Sequence, residues 1–188
     1  MSENNLKSKY NNLILDYIEM VIRNMKVYSV PFEDMQLNMS AGLIGEFGEI
    51  VDTLKKLVFH KKKTKDDLVK EIGDFMWYSV ADKILQHAGY SHSDEDSVYK
   101  YISVYKYIEA LIIADIDELY NEAYSELVCL DDKEKYKAFL RELTVSDFSD
   151  NDDKLHYILT FSNRVLGISV ESVMMANLNK LNERFNNK

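Results

Sequence analysis

The chain contains one cysteine (Cys129), one proline (Pro31) and one tryptophan (Trp77) among 188 residues. A lone cysteine excludes an intrachain disulfide framework and a cluster of thiolate metal ligands, and points to a reducing, cytoplasmic setting. With one proline, six glycines and no long alternation of apolar and polar residues, strands have little to build on. No run approaches the roughly 18 uninterrupted apolar residues of a membrane span. The opening MSENNLKSKYNN lacks the apolar stretch of a secretory signal. A basic footprint is missing as well, since 23 Lys and Arg face 32 Asp and Glu, a net charge of −9. Neither DNA or RNA duplexes nor a membrane is an expected partner.

What remains is a chain that is 46% hydrophobic and 29% charged, enough apolar material for one domain with a core. Its periodicity is helical throughout, which predicts an all-α bundle. The stripe Leu6, Tyr10, Leu13, Ile14, Tyr17, Ile18, Val21, Ile22 and Met25 predicts a first helix over about 5–28. Further helices are predicted over about 35–59, from Thr64 to about 87, over 98–128 and 133–143, and over 154–166 and 170–185. Thr64 with Asp67 reads as a capped start, Gly167 as a C-cap and Ser169 as an N-cap.

The charge is unevenly placed. Residues 89–153 hold 17 acidic and 6 basic residues, a local sum of −11, against +2 for the rest. The same segment carries eight of the thirteen tyrosines. The chain therefore reads as a single domain, 1–188, with residues 89–153 as an acidic, Tyr-rich helical insertion. Ile108, Leu111, Ile112, Ile116, Leu119, Ala123 and Leu127 form an apolar stripe that predicts a folded insertion.

Two pairs of acids stand out by their neighbours. Glu46 and Glu49 lie within AGLIGEFGEIV, and Glu71 and Asp74 within LVKEIGDFMWY. Each pair, spaced i, i+3, puts two carboxylates on one helix face. Carboxylates among core-type residues are costly to bury without a balancing cation. An oxygen-only ligand set selects a hard ion, Mg²⁺ or Mn²⁺. Gly42, Gly45 and Gly48 cost the helix stability, which suggests close backbone approach at each.

The order Glu46-x-x-Glu49, 21 residues, Glu71-x-x-Asp74 resembles the ExxE…ExxD signature of MazG-like nucleotide pyrophosphohydrolases. GLIGEFGEIVDTLKKLVFHKKKTKDDLVKEIGDFMWY is similar to the phage and bacterial branch of that family, as is the closing LGISVESVMMANLNKLNERF. The likeness covers about 37–78 and 166–185, a third of the chain. It implies a MazG-like helical bundle in which Glu46, Glu49, Glu71 and Asp74 bind Mg²⁺ and do the catalytic work, with Mn²⁺ as the substitute. It further implies that Lys56, Tyr78, Asn177 and Lys180 contact a nucleoside triphosphate, which water cuts to a monophosphate and pyrophosphate. A homo-oligomer, dimer or tetramer, is implied too, reduced if the insertion stands where a second subunit packs. The insertion itself departs from the family pattern, which passes from Trp77-Tyr78 to the LGIS turn much sooner.

Other features count against rival chemistry. His60, His87, His92 and His156 form no HExxH or Glu-x-x-His pair, and there is no GxxxxGK[ST] phosphate loop. Lys61, Lys62, Lys63 and Lys65 read as a solubilising turn, and Trp77 as a core residue. Two other functions remain. One is a protein that sequesters a nucleotide uncleaved, and the other is a helical interaction module that works through its insertion.

Overall fold

The computed structural model describes residues 3–25, 30–88, 97–116 and 121–186. They form α1 (Glu3–Met25), α2 (Phe32–Lys55), α3 (Lys65–Ala88), α4 (Ser97–Ile116), α5 (Asn121–Val128), α6 (Asp132–Val145), α7 (Asn151–Leu166) and α8 (Val170–Asn186). No strand occurs among the described residues, so the fold is all-α as expected. None of the described helices is long and apolar enough to cross a membrane.

The α2–α3 pair is the centre of the molecule, with the most extensive contact between any two elements. Their connection is tight for identifiable reasons. α2 runs into a single π-helical turn, Lys56–His60, which ends at Lys61 in the left-handed region at φ +52°. Thr64 then starts α3 reciprocally: its hydroxyl accepts from Asp67 N–H at 3.2 Å, and the Asp67 carboxylate accepts from Thr64 N–H at 2.8 Å. Helices joined so briefly lie side by side, which brings the acid pairs of α2 and α3 to one seam.

α3 is covered by α8, α4, α1 and α7. Its buried residues run almost continuously from Leu68 through Ile72, Phe75, Met76 and Val80 to Leu85. α7 hands over to α8 at Gly167, φ +62°, a conformation glycine adopts freely. Lys65, expected to do no more than solubilise a turn, instead donates to the carbonyl oxygens of Leu166 and, at 3.5 Å, Gly167. It caps α7 from the start of α3. Ser169 caps α8 as expected, accepting from Ser172 N–H at 3.2 Å.

The described residues of the segment 89–153 are helical and packed. α4 lies on α1, α3 and α7, α5 on α7, and α6 on α2 and the π-helical turn. Val104, Ile108, Leu111 and Ile112 are buried, as are Phe139 and Leu143. Phe139 stacks on Phe161 of α7 with ring centroids 4.4 Å apart. Tyr107 donates to Asp152 at 3.1 Å, while Tyr105, Tyr124 and Tyr136 pack half-buried against the core. Tyr124 meets Phe161 of α7 edge-on, ring centroids 5.8 Å apart, which ties the segment to the bundle. The side chains of Ile116, Leu119 and Ala123 lie outside the described residues, as does the polar loop read at 89–96. The helix predicted over 98–128 is seen as α4 and α5, and residues 117–120 between them lie outside the described residues.

Candidate functional site

The hairpin sets one carboxylate of α2 against two of α3. Glu46, Glu71 and Asp74 each place an oxygen within 4.8 Å of the others, and all three are partly buried. No histidine or cysteine joins them among the described residues. Glu49 is exposed, and its carboxylate stands outside this group. Residues three apart on a helix are displaced by about 60° around its axis. That rotation carries Glu49 outward while Glu46 faces the seam. Glu49 remains close enough to repel both Glu46 and Glu71.

A third helix completes the site. The Cβ that Gly73 lacks would lie 3.1 Å from Asn177 Cβ, so its absence lets α8 come close to α3 beside Asp74. Asn177 then donates from Nδ2 to Asp74 Oδ1 at 2.9 Å, and the Lys180 ammonium donates to Asp74 Oδ2. Asn177 is buried and is fixed from behind by the Tyr17 hydroxyl, which donates to its Oδ1 at 3.3 Å. Lys63 stands 3.6 Å from Glu71. Two ammonium groups thus partly balance three carboxylates.

The balance is incomplete. Burial, reinforced by the charges of Asp74, Glu71 and Glu49 and opposed by Lys180, pushes the Glu46 carboxyl up to about 7. Burial likewise raises Glu71, helped by Asp74 and Glu49 and opposed by Lys63. Burial and the nearby Asp74 charge hold the Tyr17 phenol well above its usual range. A carboxyl kept protonated up to neutrality by burial, with like charges adding to it, is what an under-compensated acid cluster shows.

Beside the acids opens a cavity of about 100 Å³ whose wall includes Glu46, Asp74, Tyr78 and Asn177. Tyr78 reaches it by lying over Gly42, where a Cβ would come 2.1 Å from the ring. Gly45 and Gly48 have nothing within 4 Å of a would-be Cβ, so the close approach expected of all three glycines holds for Gly42 alone. Lys56 is paired with Asp52 on its own helix, and Glu49 and Glu71 reinforce its charge from a distance. The structure therefore gathers Glu46, Glu71, Asp74, Tyr78, Asn177 and Lys180, and leaves Glu49 and Lys56 at the rim. The side chain of Arg184 lies outside the described residues. Sequence reasoning missed Tyr17, Lys63 and Asn24, the last of which also lines the cavity. Only Lys63 carried a usable signal, as a cation just before a helix bearing buried acids.

No protein-family model matches the chain, and no solved structure does. Over 45 residues the chain is 42% identical to the Gene 37 protein of Mycobacterium phage L5. That stretch is 21% of this chain, which spans 40% of the length of the phage protein.

Proposed function

We propose that the protein is a magnesium-dependent nucleoside triphosphate pyrophosphohydrolase, converting an NTP or dNTP and water to a (d)NMP and pyrophosphate. The observation that carries this reading is the convergence of Glu46, Glu71 and Asp74 within 4.8 Å at the edge of a cavity. The donor set fits Mg²⁺ or Mn²⁺, since it is all oxygen and its charge is under-compensated. Bound there, the metal supplies positive charge to the phosphate oxygens and lowers the proton affinity of an attacking water.

The chain's own residues have distinct parts. Glu46, Glu71 and Asp74 would hold the cation, and Glu49, at the rim, would add negative charge beside it. Asn177, pinned by Tyr17, keeps Asp74 in one orientation. Lys180 is paired with Asp74, and a cation held at Asp74 would free its ammonium for a triphosphate. Lys63 and Lys56 add positive charge on the side from which a polyanion approaches. The MazG-like pattern of the sequence supports the same assignment, including a homo-oligomeric state.

The test is turnover of canonical (d)NTPs with Mg²⁺ in ¹⁸O-water. Label in the monophosphate and unlabelled pyrophosphate are expected. Orthophosphate with a diphosphate, or label in pyrophosphate, would place the attack at another phosphorus. Binding without turnover would leave a sequestering protein.

A further inference from the structure

The face of α2 turned away from the acids is apolar where a solvated helix face carries charge. The inner face buries Met35, Met39, Leu43 and Ile50. On the opposite side Leu37 and Ile44 are 69% and 77% exposed, and Ile44 is the most exposed large apolar residue among the described ones. Ala41 and Gly48 are exposed on that side too, and a Cβ at Gly45 or Gly48 would meet nothing within 4 Å. Between Asp34 and Glu49 the only charged residue is Glu46, which faces the acid seam. An outer face that runs for about four turns without a charge calls for a covering partner.

Spacing narrows the kind of partner. Leu37, Ala41, Ile44, Gly48, Val51 and Lys55 alternate steps of four and three residues, the seam of a two-stranded coiled coil. Charge sets its direction. The first turn of α2 carries Glu33 and Asp34, and its last turn Lys55. Lys56 follows, and the single Asp52 serves both lysines, so this end stays positive, with Lys61 and Lys62 exposed beyond it. A second copy laid antiparallel sets acid against base at both ends, whereas a parallel copy sets like against like. Shape agrees. In a pair centred between Ile44 and Gly48, Ile44 of each copy lies over Gly48 of the other. Ala41 then meets the half-buried Val51, and Leu37 the aliphatic stem of Lys55. Asp34, one turn before Leu37, comes beside the Lys55 ammonium. An alanine at either glycine would still fit helix axes about 8–10 Å apart.

We propose that the outward face of α2, from Leu37 to Lys55, is a dimer interface that packs antiparallel on the same face of a second copy. One patch used by both copies closes a two-fold dimer. This gives a face to the homo-oligomeric state proposed above. It is independent of the hydrolysis, since Glu46, Glu71 and Asp74 come together within one chain.

Sedimentation equilibrium of the full-length protein at micromolar concentrations and low salt tests it. The wild type is expected as a dimer, or as a larger assembly of such dimers. Ile44→Glu puts one carboxylate from each copy into an apolar contact and should raise the dimer Kd about a hundredfold. The circular-dichroism spectrum should stay unchanged, because Ile44 is exposed in the single chain. Asp34→Lys and Lys55→Glu should each raise the Kd about fivefold, and the double variant should restore it, which a parallel pair cannot show. A monomer throughout that range, an assembly indifferent to Ile44→Glu, or a double variant weaker than either single one would overturn the proposal. Turnover by a wild-type monomer removes the interface and leaves the hydrolase reading. A dimer broken by Ile44→Glu, with no turnover in the wild type, does the reverse.

Discussion

The ring of Tyr78 lies where a side chain on Gly42 would have to go: a Cβ built there falls 2.1 Å from Tyr78 Cε1. α2 and α3 owe their close crossing at the site to this one missing methyl group. Gly42→Ala must turn the ring away, because a packed aromatic cannot yield by that distance in place. The expected result is a lower melting temperature and weaker substrate binding, since Tyr78 lines the cavity. Gly45→Ala and Gly48→Ala meet nothing and gain helix propensity, up to about 1 kcal/mol each. In a chain of this size that raises the melting temperature by about 2–4 °C. Thermal melts of the three variants check the contrast, and destabilisation by all three would mean that the open face of α2 is covered.

The capping lysine offers a stability test away from the chemistry. Lys65→Met leaves the Leu166 and Gly167 carbonyls without their ammonium donor. The loss should cost about 1 kcal/mol, seen in denaturant melts, with pyrophosphate release per folded molecule unchanged. Altered turnover at full folding would show that the α7–α8 junction sets the position of Asn177.

The metal-free protein should carry a pH signature of Glu46. Its carboxyl titrates at about 7 in the folded state against an ordinary 4.5. Between those values the unfolded chain has lost this proton and the folded chain keeps it, so stability falls as pH rises across the window. The contribution is complete below about 4.5 and gone above about 7. Glu46→Gln should remove that slope from melting temperature against pH. Because Mg²⁺ must expel the same proton, its stabilising shift should grow through the same window in the wild type. An identical slope in the variant would assign the titration to another group.

Much of this was legible in the sequence, and the exceptions share a physical cause. Periodicity located the helices, and Thr64, Gly167 and Ser169 marked real ends because capping is local chemistry. Glu46, Glu71 and Asp74 stood out as acids among core residues. Which acid of Glu46 and Glu49 faces the seam depends on how α2 is rotated against α3, and tertiary packing decides that. In the link from Asp74 through Asn177 to Tyr17, Asn177 stands 103 residues from Asp74 and 160 from Tyr17, and no local pattern announces it.

Lys180 is the residue whose removal should separate metal binding from turnover. Asp74 accepts from Asn177 with one oxygen and from Lys180 with the other. Lys180→Met keeps the aliphatic stem and deletes the charge, leaving Asp74 one hydrogen bond and no counter-ion. Glu46 loses an attraction that opposes its acidic neighbours. At pH 8, above the Glu46 titration at about 7, the metal-free variant should melt below the wild type. Mg²⁺ meets the opposite situation. It no longer has to displace an ammonium, and the site it enters is more negative. A partly buried pair of this kind holds about 1 kcal/mol, so Mg²⁺ should bind about fivefold more tightly. Turnover should still fall, since the group that leaves Asp74 for the triphosphate is gone. Calorimetric Mg²⁺ titration of the metal-free proteins, beside pyrophosphate release at saturating Mg²⁺, measures both. Weaker Mg²⁺ binding in the variant would mean that Lys180 positions Asp74 for the metal instead of competing with it.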